Sequence, residues 1–86
     1  MPRCRITFAR SARRELERLP HVLARRILAK IETLEEDPRP RECRKIQGPT
    51  RLWRIRVGEY RIVYDIDDDQ RLVDIVVIRH RSEAYR

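Results

Sequence analysis

Three arginines, Arg54, Arg56 and Arg61, occupy polar positions of the stretch RLWRIRVGEYRIVY, residues 51–64. Thr, Ser, Gln, Glu or Lys would serve a solvated strand face equally well. A guanidinium does something more: it is planar, keeps its charge near neutral pH and grips a phosphate through two parallel hydrogen bonds. Spacing matters as much as type. Gly58-Glu59 reads as a two-residue hairpin loop of the Gly-first kind, which sets Val57 opposite Tyr60, Ile55 opposite Ile62 and Trp53 opposite Tyr64. Directly opposed residues share a face, so these six point one way and the three arginines the other, with Arg56 directly opposite Arg61. Opposed like charges destabilise a sheet. Either the arginine stems lie along the sheet with their heads in water, or an anion neutralises the group. Arg44, Lys45 and Arg51 just upstream, and Arg79 and Arg81 at the end of the last apolar run, favour the anion site.

The anion that fits is a polymer of phosphates. A small phosphate ligand calls for a glycine-rich loop at a helix N-terminus, and the chain has two glycines in all. Base-stacking groups are few. Trp53, Tyr60 and Tyr64 fall on the core face, which leaves Tyr85 as the one candidate. Unassisted single-strand binding leans on stacking platforms, so another body is expected to present the nucleic acid.

Charge distribution points the same way. Residues 1–38 carry nine basic and six acidic groups, residues 39–64 eight and two, and residues 65–86 four and six. The excess is concentrated in the middle of the chain, which suits nucleic acid, an anionic membrane or an acidic protein partner. Only Lys30 and Lys45 among the 21 basic residues are lysines; arginine-favouring codon usage and phosphate binding both account for that bias. Cys4 and Cys43 are too few and too far apart for a zinc motif and read as two free thiols. No metal or cofactor is called for. With no run approaching the 18–20 apolar residues of a membrane span and no secretory leader in MPRCRITFAR, the chain is expected to be soluble and cytoplasmic.

The elements that must position these groups follow from periodicity. The 86 residues suffice for one small domain, 1–86, of marginal stability. RCRITF is a short first strand. Ala9, Ala12, Leu16 and Leu19 mark one face of a helix that Pro20 ends, and Pro20 suits the first position of the next. Leu23, Ile27, Ile31 and Leu34 stripe a second helix, close to antiparallel to the first and stopped by Asp37-Pro38. Strands 52–57, 60–66 and 72–78 complete a β-α-α-β-β-β order, and the tail RHRSEAYR shows no helical period. The expected fold is α+β, two antiparallel helices on one face of a small, mainly antiparallel four-stranded sheet. With Asp67–Gln70 as a four-residue loop, Arg79 keeps register with Ile75 and Val77 on the core face. A bulge, or the end of pairing near Ile78, would turn it outward, and the sequence displays neither.

Four segments, FARSARRELERLP, KIQG, LWRIRVGEYRIVYDI and IRHRSEAY, cover nearly the whole chain in order. Through them the sequence resembles the RelE branch of the RelE/ParE superfamily of toxins from bacterial and archaeal toxin–antitoxin modules. The Val-Gly-Glu-Tyr-Arg turn and the terminal Arg-Ser-Glu-x-Tyr are the most specific pieces. The resemblance implies a ribosome-dependent endoribonuclease that enters the A site and cuts mRNA there, the 2′-OH attacking the adjacent phosphate to leave a 2′,3′-cyclic phosphate. It implies that Arg61 stabilises the phosphate in the transition state, that Arg79 does so too or helps protonate the leaving oxygen, and that Tyr85 stacks on or orients the nucleotide. Arg54 and Arg56 match positions that are lysines in the RelE pattern, one of them proposed as general base. A guanidinium is a poor base and serves as a fixed charge, so the group that takes the 2′-OH proton is left open. His80 is read as structural, because on a plain strand it faces away from Arg79; Glu59 and Glu83 are the acidic candidates. Arg44, Lys45, Arg51 and Arg81 would contact RNA or ribosome.

The implied partners are the ribosome, its mRNA and an acidic antitoxin, with operator DNA reached only through the antitoxin. Two alternatives stay open: a ParE-like toxin that binds DNA gyrase, and a non-catalytic basic RNA-binding module.

Overall fold

Apolar stripes at helical spacing and alternation at strand spacing fold into two layers. The computed structural model describes residues 3–84. Strand β1 (Arg5–Phe8) leads into α1 (Arg10–Arg18) and α2 (His21–Thr33); then come β2 (Arg44–Lys45), β3 (Leu52–Val57), β4 (Tyr60–Asp67), β5 (Leu72–His80) and α3 (Arg81–Ala84). The two helices cover one face of a single sheet of order β1-β5-β4-β3-β2. The α+β class is as expected.

The helix boundaries follow backbone chemistry. Leu19 is extended, with φ −79° and ψ 151°, because a residue before proline is pushed out of the α region. Pro20 is extended as well (φ −56°, ψ 147°) and caps α2 from outside instead of opening it. The second helix stops at Thr33, short of the expected proline stop, and Leu34 closes its end in the core with 0% exposure. Ala12, Ile27, Ile31 and Leu34 from the helical layer meet Ile55, Val57, Ile62, Tyr64, Ile66, Val73, Ile75 and Ile78 from the sheet. The buried Tyr64 hydroxyl donates to the Pro38 carbonyl at 2.8 Å, and burial pushes its pKa well above the usual tyrosine range. Cys4 and Cys43 are free thiols. No helix among the described residues is long and apolar enough to cross a membrane.

Three features add to or depart from the expected fold. The sheet has five strands, because Arg44 and Lys45 pair with Arg54 and Trp53 as a two-residue edge strand, too short to leave a periodic signal. Its first strand runs parallel to β5, from Arg5 beside Leu72 to Phe8 beside Ile75, since the two helices carry the chain back across the layer. After β5 the chain turns into the short α3, capped by His80: the Ser82 amide donates to His80 Nδ1 at 3.2 Å. One turn held by one cap has too few residues to show a period.

Candidate functional site

The hairpin forms in the register its loop dictates. Val57 pairs with Tyr60, Ile55 with Ile62, Trp53 with Tyr64 and Arg56 with Arg61. Gly58 supplies the positive φ of 58° that the first loop position requires. Trp53, Ile55, Val57, Tyr60, Ile62 and Tyr64 therefore face the helices, and Arg54, Arg56 and Arg61 face away.

Register across the next strand pair decides where Arg79 goes. Tyr64 pairs with Ile75, yet its neighbour Val63 pairs with Val77, so β5 carries one extra residue, Val76, at a bulge. Beyond it the faces of β5 exchange. Ile78 enters the core at 1% exposure, while Arg79 turns outward directly opposite Arg61. The core-face placement from simple alternation is thereby corrected: bulges re-aim side chains in this way. Arg56, Arg61 and Arg79 stand in one row across three adjacent strands, ~10 Å from end to end at ordinary strand spacing. Arg56 and Arg79 are exposed and Arg61 half-buried.

The neighbouring row contains Arg44, Arg54, Val63 and Val77, so the unforeseen edge strand brings Arg44 beside Arg54. The Arg44 guanidinium also donates to the Cys43 and Arg41 carbonyls, at 2.9 and 3.3 Å. Arg81 follows the last strand. Its amide donates to the Glu59 carbonyl at 2.7 Å and its guanidinium lies 3.6 Å from the Glu59 carboxylate. Arg56, Arg61 and Arg81 line a small cavity of about 50 Å³ with Gly58, Glu59 and Tyr60.

Other candidates lie elsewhere. Lys45 pairs with Trp53, which puts it on the opposite face of the sheet, where its ammonium donates to the Thr50 carbonyl at 2.9 Å. Arg51 sits at the far end of the outer face, clamped on Asp65 at 3.0 and 3.1 Å and 3.4 Å from Asp67, so its charge is matched within the chain. His80 pairs with Tyr60, packs edge-on to that ring at 5.3 Å and shares a 2.8 Å hydrogen bond with the Ser82 hydroxyl. Its ring is therefore on the face opposite Arg79. Tyr85 and the side chain of Glu83 lie outside the described residues.

The outer face is thus graded. Arginine rows occupy the end near the hairpin loop, the second of them completed by Val63 and Val77. An acidic row then follows, in which Asp65 opposes Asp74 and Thr7 donates to Asp74 at 2.7 Å. Two features escaped sequence reasoning. One is the position of the bulge, at Val76, whose trace is the apolar run Ile75–Ile78 where alternation would demand a polar residue. The other is Arg26 of α2, whose guanidinium nitrogens lie 3.7 and 3.9 Å from where a Cβ on Gly58 would sit; nothing local in the sequence links the two.

Two helices on one face of a small mixed sheet are the arrangement of a known class. The family described as "ParE toxin of type II toxin-antitoxin system, parDE" matches residues 6–85, and the chain belongs to this RelE/ParE superfamily of type II toxins. Within it the chain is a RelE-like toxin. Toxin RelG of Mycobacterium tuberculosis is 34% identical, with 94% of each chain covered. Putative toxin RelE1 of Methanocaldococcus jannaschii is 30% identical over 85% of this chain and 84% of its own. The archaeal RelE–RelB complex from Pyrococcus horikoshii OT3 superposes with a TM-score of 0.81 at 29% identity, covering 91% of this chain and 94% of that one.

Proposed function

We propose that this toxin is a ribosome-dependent endoribonuclease that cuts mRNA in the A site. The observation that carries the reading is the in-register row Arg56–Arg61–Arg79. The 2′-OH attacks the adjacent phosphorus, the bond from phosphorus to the 5′-oxygen breaks, and the products are a 2′,3′-cyclic phosphate and a free 5′-hydroxyl. Negative charge builds on the phosphorane oxygens, and fixed positive groups aimed there lower the barrier. Arg61, central in the row, stabilises that charge. Arg79 assists from the last strand and stands by the leaving oxygen, and Arg54 and Arg56 hold the flanking phosphate charge. A guanidinium does not accept a proton near neutral pH, so the 2′-OH proton goes to a group outside the row. Tyr85 stacks on or orients the nucleotide, and Arg44 and Arg81 contact RNA or ribosome.

An acidic antitoxin that shields the arginine face is the expected neutraliser, in keeping with the RelB that accompanies RelE in the Pyrococcus horikoshii complex, and operator DNA would be contacted through it. The ParE family name supports a second reading, gyrase inhibition. Primer extension on a defined mRNA held in 70S ribosomes separates the two. An A-site cut by the wild type, lost in Arg61→Ala, is the expected result. Absence of a cut from folded, toxic protein, with loss of gyrase supercoiling, would replace the nuclease by the gyrase reading. Ribosome binding without either effect would leave a basic binding module.

A further inference from the structure

Strand β1 stops pairing at Ile75, so among the described residues Val76–His80 have no strand neighbour on the side away from β4. Helix α1 lies beside this open stretch. Between the two runs a groove of about 220 Å³, lined by Ser11, Arg14, Glu15 and Arg18 from the helix and by Val76–Arg79 from the strand. Arg79 is shared: it ends the arginine row and also forms a wall of the groove. Arg14 and Arg18 are exposed and lie four positions apart, one helical turn. Glu15 is the one acid in the lining, 3.5 Å from Arg18, so the groove keeps a net positive charge.

We infer that this groove is a second phosphate-binding subsite, which receives the RNA strand as it leaves the arginine row across the open edge of the sheet. The inference rests on the nuclease reading for its biological setting, though not for its test. Arg79 is the hinge of the path. A strand whose phosphate lies at the Arg61–Arg79 end of the row meets Arg14 and Arg18 next, since Arg79 lines the same groove, and a positively charged groove that tracks the backbone is how single strands are held. The half-buried apolar wall of Val76 and Val77 accommodates sugar, and the Ser11 hydroxyl offers a donor. The ligand class is therefore single-stranded ribonucleic acid, held by its backbone and without base preference.

The test is direct binding of a short fluorescein-labelled oligouridylate across a salt series, comparing wild type with Arg14→Gln/Arg18→Gln. Each phosphate contact on a single strand contributes a slope of about 0.7 in log K against log salt. The double variant is expected to bind about tenfold more weakly, with a slope shallower by about 1.4. It should retain the thermal midpoint of the wild type, since both positions are exposed on a helix. An oligoglutamate probe, run alongside, reports on protein-like acidic ligands. Unchanged affinity and slope for oligouridylate would overturn the inference, as would a loss confined to oligoglutamate, which would assign the groove to an acidic protein segment. In the ribosomal assay the concentration giving half-maximal cutting should rise, with the rate at saturation retained. If no cutting occurs with any variant, the nuclease reading fails while the binding series still decides the groove.

Discussion

Arg61 and Arg79 face each other directly across β4 and β5, on the side of the sheet that the helices leave open. The pairing exists because β5 spends one residue, Val76, outside the ladder. Without Val76 the strand reads Leu-Val-Asp-Ile-Val-Ile-Arg-His, a strict alternation that already points Arg79 outward. Deleting Val76 should therefore leave the fold and the proposed cutting activity in place. Inserting an alanine between Ile78 and Arg79 should turn Arg79 toward Tyr60 and lower the cutting rate to that of Arg79→Ala. Single-turnover cleavage on programmed ribosomes, with circular dichroism to verify folding, checks both.

Arg61→Ala should lower the rate of ribosome-dependent cutting by about 10²–10³, the cost of removing one donor aimed at developing negative charge. Arg61→Lys should recover little of it, because an ammonium lacks the planar, two-pronged geometry. A variant that binds ribosomes as the wild type does and cuts equally fast would remove Arg61 from the chemistry.

Gly58 is held at φ 58°, and a methyl group added there would meet its nearest neighbour, the Arg26 guanidinium, at 3.7 Å. Gly58→Ala therefore introduces conformational strain and no clash. The expected loss is about 1–2 kcal/mol, the cost of a left-handed conformation for an L-residue. Urea unfolding with an unchanged slope, and a shifted midpoint, would display it.

Tyr64 makes stability depend on alkaline pH. Its hydroxyl is buried and bonded to the Pro38 carbonyl, and burial raises its pKa above the ordinary 10.0. The unfolded chain ionises there first, so the contribution is complete below about pH 10 and is lost as pH rises beyond it. Tyr64→Phe should cost about 1–2 kcal/mol at neutral pH and flatten the alkaline arm of a stability–pH curve. An unaltered alkaline arm would deny Tyr64 this role.

On the acid side, the hydrogen bond from Arg39 lowers the pKa of Asp68, and the one from Lys30 lowers that of Glu42. Their contributions are present above the ordinary carboxylate pKa and are lost as pH falls below it, through the lowered pKa of the folded state. Arg39 also lies 5.1 Å over the Trp53 ring. Asp68→Asn should thus weaken the acid dependence of the melting temperature and loosen Arg39 from the indole, visible as a shift in tryptophan emission. An emission spectrum and an acid profile identical to the wild type would sever that link.

Much of this was written in local chemistry. Gly58-Glu59 fixes a hairpin register from Leu52 to Asp65, and with it the side on which three arginines stand. The helical stripes of Ala12, Leu16, Ile27 and Ile31 likewise need only periodicity. What escaped depends on partners distant in sequence. Arg44 and Lys45 become a strand only because the edge of β3 is there to pair with, and β1 becomes parallel only once the helices have returned the chain. The bulge falls between. Its run of four apolar residues, Ile75–Ile78, is visible, but which of them leaves the ladder is settled by the pairing with Val63 and Tyr64.

The parallel pairing of β1 with β5 also governs the order in which the molecule can assemble. Thr7 and Asp74 are 67 positions apart, whereas the β3–β4 hairpin closes over two residues. Closing so long a loop is entropically costly before its contacts form. The hairpin with its arginines therefore takes shape early, β5 zips onto it, and β1 docks last. During synthesis the first strand emerges long before its mate and must wait, exposed, until β5 arrives. Folding speed should accordingly be set by the arrival and docking of β1 and β5, and be insensitive to substitution of the outward-facing arginines.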